Sequence, residues 1–400
     1  MRCPVGIHPY VARDREYLVS LRRYFHQNPE LSMQEYHTAQ RIEEELKGLG
    51  IPTRRVGETG VLGVLRGKGG DGKKIVLRAD IDALPIQDGK GVGYASCTPG
   101  VMHACGHDAH TTALIGAARA LKRLEDTFSG EVDLVFQPGE EYGKGAVIFL
   151  ESGLLAGAER SFGIHVQSNL PVGQVAMSSG PENASVDHFT IQVRGKRAHV
   201  STPELGVDAL YAASQIVVAL QGIATRLIAP TDPVLIGVGV LRAGEGYNII
   251  AQDAVIEGTV RCFSPQTRDL VSRKIREVAS NTAAMFGATA QVEIESFTCA
   301  LINDPVVYAE TVSVVERVVG AGNLRPKELS LGGDDMAEII AKIPGVYAFV
   351  GSGSPEVPGS QAAHHTSEFD IHEDCLPIAA SLYTEFALAQ LGCEQAAVSQ

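Results

Sequence analysis

The sequence predicts an α/β protein whose mixed, mostly parallel sheet is flanked by helices and interrupted by an inserted ferredoxin-like βαββαβ unit. Short β-branched apolar runs alternate with helical patterns over the first half of the chain. From about Asn183 the order changes to strand, helix, strand, strand, helix, strand, which is the split unit. Beyond it GGDDMAEII, GVYAFVGSGS and a C-terminal helix after Asp370 resume the first texture.

Taken in order, Asp14 to Gly50 has helical period in two pieces, LVSLRRYF and TAQRIEEELKGLG, broken at Asn28-Pro29 and stopped by Gly48 and Gly50. KKIVLRADIDALP (73–85), GEVDLVFQPGEE (130–141) and RSFGIHV (160–166) are strands, and TTALIGAARALKRL between the first two is a helix. Strands separated by helices pair in parallel and are buried on both faces, which explains their unbroken apolar runs. DHFTIQVRG, VLIGVGVLRAG, NIIAQDAVIEGTVRC and ATAQVEIES supply the strands of the inserted unit, with helices VDALYAASQIVVALQGI and TRDLVSRKIREVASNTAAMFG. Because that unit is complete in itself, residues 1–182 and 297–400 are expected to form one domain and residues 183–296 a second.

A chain of 400 residues with 44% hydrophobic content has more material than one core organises, in keeping with two domains. Its net charge of −13 argues against nucleic acid and anionic membrane surfaces as partners, since those are bound by clustered Lys and Arg. The run Arg194, Lys196, Arg197 is too short to reverse this. Cysteines 3, 97, 105, 262, 299, 375 and 393 follow no disulfide spacing, so a reducing, cytoplasmic compartment is expected. No apolar stretch has the length of a signal peptide or a membrane span.

Chemistry concentrates in His103-Ala-Cys-Gly-His-Asp-Ala-His110, on a Gly-flexed loop before a helix. Thiolate and imidazole together select zinc or a late first-row neighbour over calcium or magnesium. Asp80, Asp82, Glu140, Glu141 and His165 fall at the carboxyl ends of the expected strands, the edge where open α/β sheets bind ligands. Cys105, His107, Glu141, His165 and a late histidine of AAHHTSEFD suffice for two metals sharing a bridge. Adjacent carboxylates on a turn point apart, so of Glu140 and Glu141 one can ligate while the other moves protons. Each residue also has an ordinary reading. A cysteine is commonly a small buried hydrophobe, Asp80 and Asp82 can cap a turn, a strand histidine can be core, and Asp108 reads as a helix N-cap rather than a ligand. His103, His110 and His364 are read as structural or supporting. Convergence on one sheet edge favours the metal site.

FHQNPELSMQE (25–35), LRADIDALPI (77–86), GVMHACGHDAHTT (100–112), FQPGEE (136–141) and GIHV (163–166) occur in this order. The chain resembles an M20 family metallopeptidase of subfamily D, the amidohydrolases acting on N-acyl amino acids, from about Tyr17 to Leu391. The resemblance implies a metallo-exopeptidase-type sheet with a lid and dimerisation domain. It also implies metal ligation by Cys105, His107, Glu141, His165 and His365, with Glu140 as general base. His365 is chosen over His364 because Phe369 follows it by four positions. His199, Asn248 and Arg261 would serve the substrate: oxyanion, acyl or amide group, and carboxylate in turn.

The implied reaction is metal-dependent hydrolysis of N-acyl or N-aroyl amino acids to a carboxylic acid and a free amino acid. Two divalent metals per subunit are implied, zinc first, with manganese, cobalt or nickel as alternatives. The implied assembly is a homodimer, or a larger homo-oligomer, through the lid. The sequence departs from the family pattern at Lys196, Arg197 and Glu204, at Ala251 and at GGDDM, positions that bear on substrate choice and not on ligation. The runner-up is a dipeptidase or carboxypeptidase. From another class comes a non-catalytic metal-binding assembly protein, against which the spare carboxylate of Glu140 argues.

Overall fold

The computed structural model describes residues 6–392, so Cys3 and Cys393 lie outside the described residues. Three helices open the chain: α1 (Pro9–Arg13), α2 (Arg15–Gln27) and α3 (Tyr36–Gly48). The first was not anticipated; Pro at its start and the His8 side chain, accepting from the Tyr10 N–H, sustain so short a turn. The other two are the expected amphipathic pair, burying Leu18, Leu21 and Phe25, and Ala39, Ile42 and Leu46.

The chain continues through β1 (Thr53–Val56), β2 (Gly60–Arg66), β3 (Lys74–Asp80), α4 (His107–Arg123), β4 (Glu131–Gln137), α5 (Gly145–Glu151), β5 (Arg160–Pro171), β6 (Val175–Ala176) and β7 (Gly180–Asn183). Next come β8 (Ser185–Arg194), α6 (Ala209–Gly222), β9 (Val234–Ala243), β10 (Asp253–Cys262), α7 (Pro265–Met285) and β11 (Thr289–Thr298). It closes with β12 (Leu301–Asn303), α8 (Pro305–Val319), β13 (Leu324–Arg325), α9 (Met336–Ile340), β14 (Gly345–Gly353) and α10 (Cys375–Gln390). Two compact units result. The first runs to Gly180 and adds Ile302–Glu328 and everything from Asp334; the second is Pro181–Leu301 with Leu329–Gly333.

The first unit holds an eight-stranded sheet in the order β1-β2-β4-β3-β5-β14-β6-β13. Its centre, β4-β3-β5-β14, is parallel, whereas β1, β2 and the β14–β6 pair run antiparallel. The β1–β2 hairpin escaped the sequence reading because its apolar run GVLGVLR lies antiparallel between β1 and β4 and has no crossover helix to announce it. Against the central strands lies a core that includes Leu77, Phe136, Phe162 and Ile164. Phe162 stacks on Phe386 at 4.6 Å and meets Tyr383 edge-on at 5.6 Å. Register then fixes the site. Asp80 pairs with Gln137, Arg78 with Gly163 and Phe349 with His165, so Asp80, Gln137 and His165 come to one level of the sheet.

The second unit has a four-stranded sheet in the order β11-β8-β10-β9, antiparallel throughout, with α6 and α7. That is the order of a ferredoxin-like split unit. Its helices start on side-chain caps, Asp208 accepting from Leu210 and Tyr211 and Ser264 from Thr267. Phe189, Ile191, Ile216, Ile256 and Ile275 fill its own core. Strands β7 and β12 form a two-stranded sheet of their own. Among the described residues no helix is long and apolar enough to cross a membrane.

Replacing Phe162 by Ala removes the ring on which Phe386 and Tyr383 rest; urea unfolding is expected to show a loss of about 3–5 kcal/mol.

Candidate metal centre

Strand β3 ends on Asp80 and the chain turns through Asp82, both fully buried. The HACGHD loop enters α4 through Gly106, whose φ of 93° is open to glycine alone, and His107 becomes the first helical residue. Asp108 is therefore not the N-cap that the sequence suggested. Gly106 holds that position, and the Asp108 carboxylate lies in the first turn, buried against Arg22 Nε at 2.9 Å and His26 Nδ1 at 2.6 Å. Leaving β4, Pro138-Gly139 turns the chain so that Glu140 and Glu141 begin a single 3₁₀ turn.

The thiol of Cys105 lies 3.5 Å from His165 Nε2. Ligand atoms of Cys105, His107 and His165 fall within 4.8 Å of one another, as do those of Cys105, Glu141 and His365. Cys105 belongs to both triads. His365 Nε2 is 3.3 Å from Glu141 Oε1, and its backbone takes a left-handed φ of 63°, held by its N–H to the Ala104 carbonyl at 2.9 Å. His364 turns the other way, its ring 4.6 Å from Phe369 and 5.3 Å from His165.

Each central histidine is fixed in one tautomer. His107 Nδ1 donates to the Asp82 carbonyl at 2.9 Å, which leaves Nε2 as a lone-pair donor, buried and without a hydrogen bond. His165 Nδ1 lies 2.6 Å from the Val166 carbonyl, leaving Nε2 toward the thiol. Burial, with His110 and His364 beside it, holds His165 well below the usual histidine range and hence neutral. His110 accepts the Val166 N–H at Nε2 and donates from Nδ1 to Asp80 at 2.6 Å. Both its nitrogens are engaged, so it supports the site without coordinating.

Burial pushes the Cys105 thiol up to about 12, assisted by Glu141 and opposed by His107. A thiol so hard to ionise, beside the neutral His165 imidazole, needs a cation to become a thiolate. The orphaned His107 Nε2 and this donor set fit a divalent transition metal. For His107 itself burial disfavours the charged form, but Asp80 and Asp82 outweigh it and raise its affinity for a proton; a bound cation would take that proton's place.

Glu140 is buried, its Oε2 4.0 Å from His107 Nε2, and within ligand-atom reach of Asp334 and Asp335. Burial first, then Asp334, Glu141 and Asp335, push its carboxyl well above the usual range. The Asp334–Asp335 pair was read only as a departure from the family pattern, although two acids after Gly-Gly were a legible signal. These acids are no cation site of their own. Arg78, fully buried, reaches Asp335 Oδ1 and Asp80 Oδ2 at 2.7 Å and Asp334 Oδ1 at 3.4 Å, and Tyr347 donates to Asp334 at 2.6 Å. Asp82, one of the two acids read as possible turn caps, accepts from Ser32 Oγ and from the Glu140 and Glu141 N–H groups at 2.7, 3.2 and 3.1 Å.

The second unit places His199 and Asn248 together: His199 bridges Ile249, and the Val200 N–H donates to the Asn248 carbonyl at 3.1 Å. Arg261 is elsewhere. It pairs with Val186 at one end of β10, whereas Asp253, next to the His199 segment, pairs with Arg194 at the other. Eight residue steps separate Asp253 from Arg261, roughly 26 Å at about 3.3 Å each. The three do not converge on one point within the unit.

A model of the peptidase family M20/M25/M40 matches residues 76–389. The chain is 38% identical over 362 residues to the N-acetyl-L-cysteine deacetylase of Bacillus subtilis, covering 90% of this chain and 84% of that protein. It is 36% identical over 378 residues to thermostable carboxypeptidase 2 of Saccharolobus solfataricus, covering 93% and 95%. Among solved structures, a dinuclear metal binding peptidase of the M20 family from Bacillus subtilis superposes with a TM-score of 0.82 at 33% identity, over 96% of this chain and 100% of that one.

Replacing Arg78 by Leu leaves Asp80, Asp334 and Asp335 buried without their cation. Urea unfolding at neutral pH is expected to show a loss of about 3–5 kcal/mol. Part of it should return on acidification, because burial pushes the Asp335 carboxyl up to about 7 even with Arg78 beside it, and the penalty of a carboxylate raised in the folded state is relieved as falling pH protonates it.

Proposed function

The chain belongs to peptidase family M20/M25/M40 as a subfamily D metal-dependent hydrolase of amides, and from that premise we propose that it cleaves N-acyl or N-aroyl amino acids. The products are a carboxylic acid and a free amino acid. The observation that carries hydrolysis, whichever amide is cut, is Glu140: a buried carboxylate with raised proton affinity, 4.0 Å from His107 Nε2 and outside the Cys105–His107–His165 and Cys105–Glu141–His365 groups. A closed structural site has no use for such a group.

We assign Cys105, His107, Glu141, His165 and His365 to two divalent cations, zinc foremost, with manganese, cobalt or nickel as alternatives. Cys105, common to both triads, is the residue placed to be shared. When bound, such a pair acidifies a water and polarises the carbonyl under attack. Glu140 takes the proton of the attacking water and returns it to the departing amine nitrogen. Burial together with Asp334 and Asp335 favours its holding that proton between the two events. His107 is kept in register with Glu140 because Asp82 binds the imidazole of one and the N–H of the other.

For the second unit we propose that His199 steadies the oxyanion, Asn248 fixes the acyl or amide group and Arg261 takes the substrate carboxylate. The separation of Arg261 from His199 along β10 favours contributions from two copies of the chain, paired through this unit. The deacetylase and carboxypeptidase relatives support two readings of one chemistry, since each cleaves an amide. The N-acyl reading is preferred on the sequence motifs.

Release of free amino acid from N-acetyl, N-aroyl and long-chain N-acyl amino acids, measured beside free-amino dipeptides, decides between them. N-acyl substrates are expected to turn over faster, with activity abolished by chelator and restored by metal; faster dipeptide cleavage would favour the carboxypeptidase reading. Glu140→Gln is expected to keep its metal content and lose on the order of 10²–10⁴-fold in kcat. Normal turnover in that variant would remove Glu140 as the base. Cys105→Ser and His165→Ala should instead lower the bound metal per chain, read by elemental analysis.

A further inference from the structure

The N-terminal segment Pro29–Glu35 takes no part in this chemistry, yet it runs against the Pro138–Glu141 turn. Glu30 caps α3, its carboxylate accepting from the His37 and Thr38 N–H groups at 3.1 and 2.7 Å, and its carbonyl accepts from Ala83 at 2.8 Å. Ser32 donates to Asp82. Met33 takes a left-handed φ of 65° and covers Gly139, whose own φ is 60°; a β-carbon on Gly139 would sit 2.5 Å from Met33 Sδ.

Glu35 occupies the N-cap position of α3 but does not cap that helix. Its Oε1 accepts from the Met33 and Gly139 N–H groups at 2.8 and 2.9 Å, and its Oε2 accepts from Thr59 Oγ1 at 2.6 Å. The side chain is fully buried, with no cation on it among these contacts. With Asp82 accepting from residues 140 and 141, three successive N–H groups of the turn end on two buried carboxylates. Burial is expensive for such a group unless hydrogen bonds offset it, and three donors reach Glu35, at least one on each oxygen.

We propose that Glu35 is a positioning residue for Glu140: by holding the Gly139 N–H under Met33 it fixes the turn that directs Glu140 to the reacting centre and Glu141 to the ligand cluster. The proposal rests on the reading of Glu140 as the proton carrier. A purely structural Glu35 would matter equally through Thr59, whereas a positioning Glu35 matters through Gly139.

The test compares Glu35→Ala, Glu35→Gln, Thr59→Val and Glu140→Gln by kcat and KM on whichever panel substrate the wild type hydrolyses fastest, and by amide hydrogen exchange of residues 138–142 in metal-free protein. Glu35→Ala is expected to lose on the order of 10–100-fold in kcat with KM little changed, and to accelerate exchange of the turn. Glu35→Gln should restore both, because its amide oxygen can accept from Gly139 and Met33 while its NH₂ donates to the Thr59 hydroxyl. Thr59→Val should lower the melting temperature and leave kcat and exchange of the turn unchanged. Should Glu35→Ala fail to fold, Glu35→Asp, one methylene shorter, is expected to show the same kcat loss. Wild-type kcat or unaltered exchange in the folded Ala or Asp variant overturns the proposal, as does a kcat loss in Thr59→Val equal to theirs. Retained turnover in Glu140→Gln defeats the proton-carrier reading instead, and the exchange measurement still reports whether Glu35 anchors the turn.

Discussion

Asp82 is a carboxylate with no solvent around it, and four donors from three separate stretches of chain converge on its oxygens: Ser32, His107, and the backbones of Glu140 and Glu141. Burial alone would raise its pKa, but the hydrogen bonds, His107's foremost, more than offset that and keep it ionised. Through this one group the N-terminal segment, the HACGHD loop and the PGEE turn share a common anchor. A cation site needs its donors within a few tenths of an ångström, and supports behind the donors supply that precision. Here the support is a single charge whose valences are all used.

Acids outnumber bases around the candidate centre, and the imbalance is managed by two buried guanidinium groups. Arg78 lies among Asp80, Asp334 and Asp335, and Arg22 joins Asp108 at the start of α4 to Asp370 beyond the late histidines. Planar, permanently charged side chains suit such sites because each can serve several carboxylates at once. Two further carboxylates, Glu140 and Glu141, lie among the candidate ligands with neither guanidinium on them. Charge is thus neutralised behind the cluster and left unmatched within it, where a divalent cation would complete the balance.

The same economy governs the histidines. His110 spends both nitrogens on Asp80 and Val166, whereas His107 and His165 each spend one on a carbonyl and keep the other for the cluster. Three histidines of similar appearance in the sequence therefore divide into supporting and donating groups by hydrogen bonding alone. His365 joins the donating set through backbone conformation, since a left-handed residue turns its side chain away from the side taken by its neighbour His364.

The α/β class, the split unit and the dense metal-seeking motifs were legible in the sequence because they depend on local period and on residue types few other roles require. Strand-end acids and the Gly-flexed loop could be placed for the same reason. The β1–β2 hairpin was missed because no crossover helix announces it, and the position of Asp108 against Arg22 and the partners of Arg78 were not legible because they lie tens to hundreds of residues away; the Asp334–Asp335 pair was visible, but not its role. The separation of Arg261 from His199 is likewise a matter of strand register. Sequence determined which groups this protein has for binding and for moving protons. Tertiary structure alone decided which lone pairs stay free and which are spent, because a hydrogen bond is assigned by distance in space and leaves no trace in residue order.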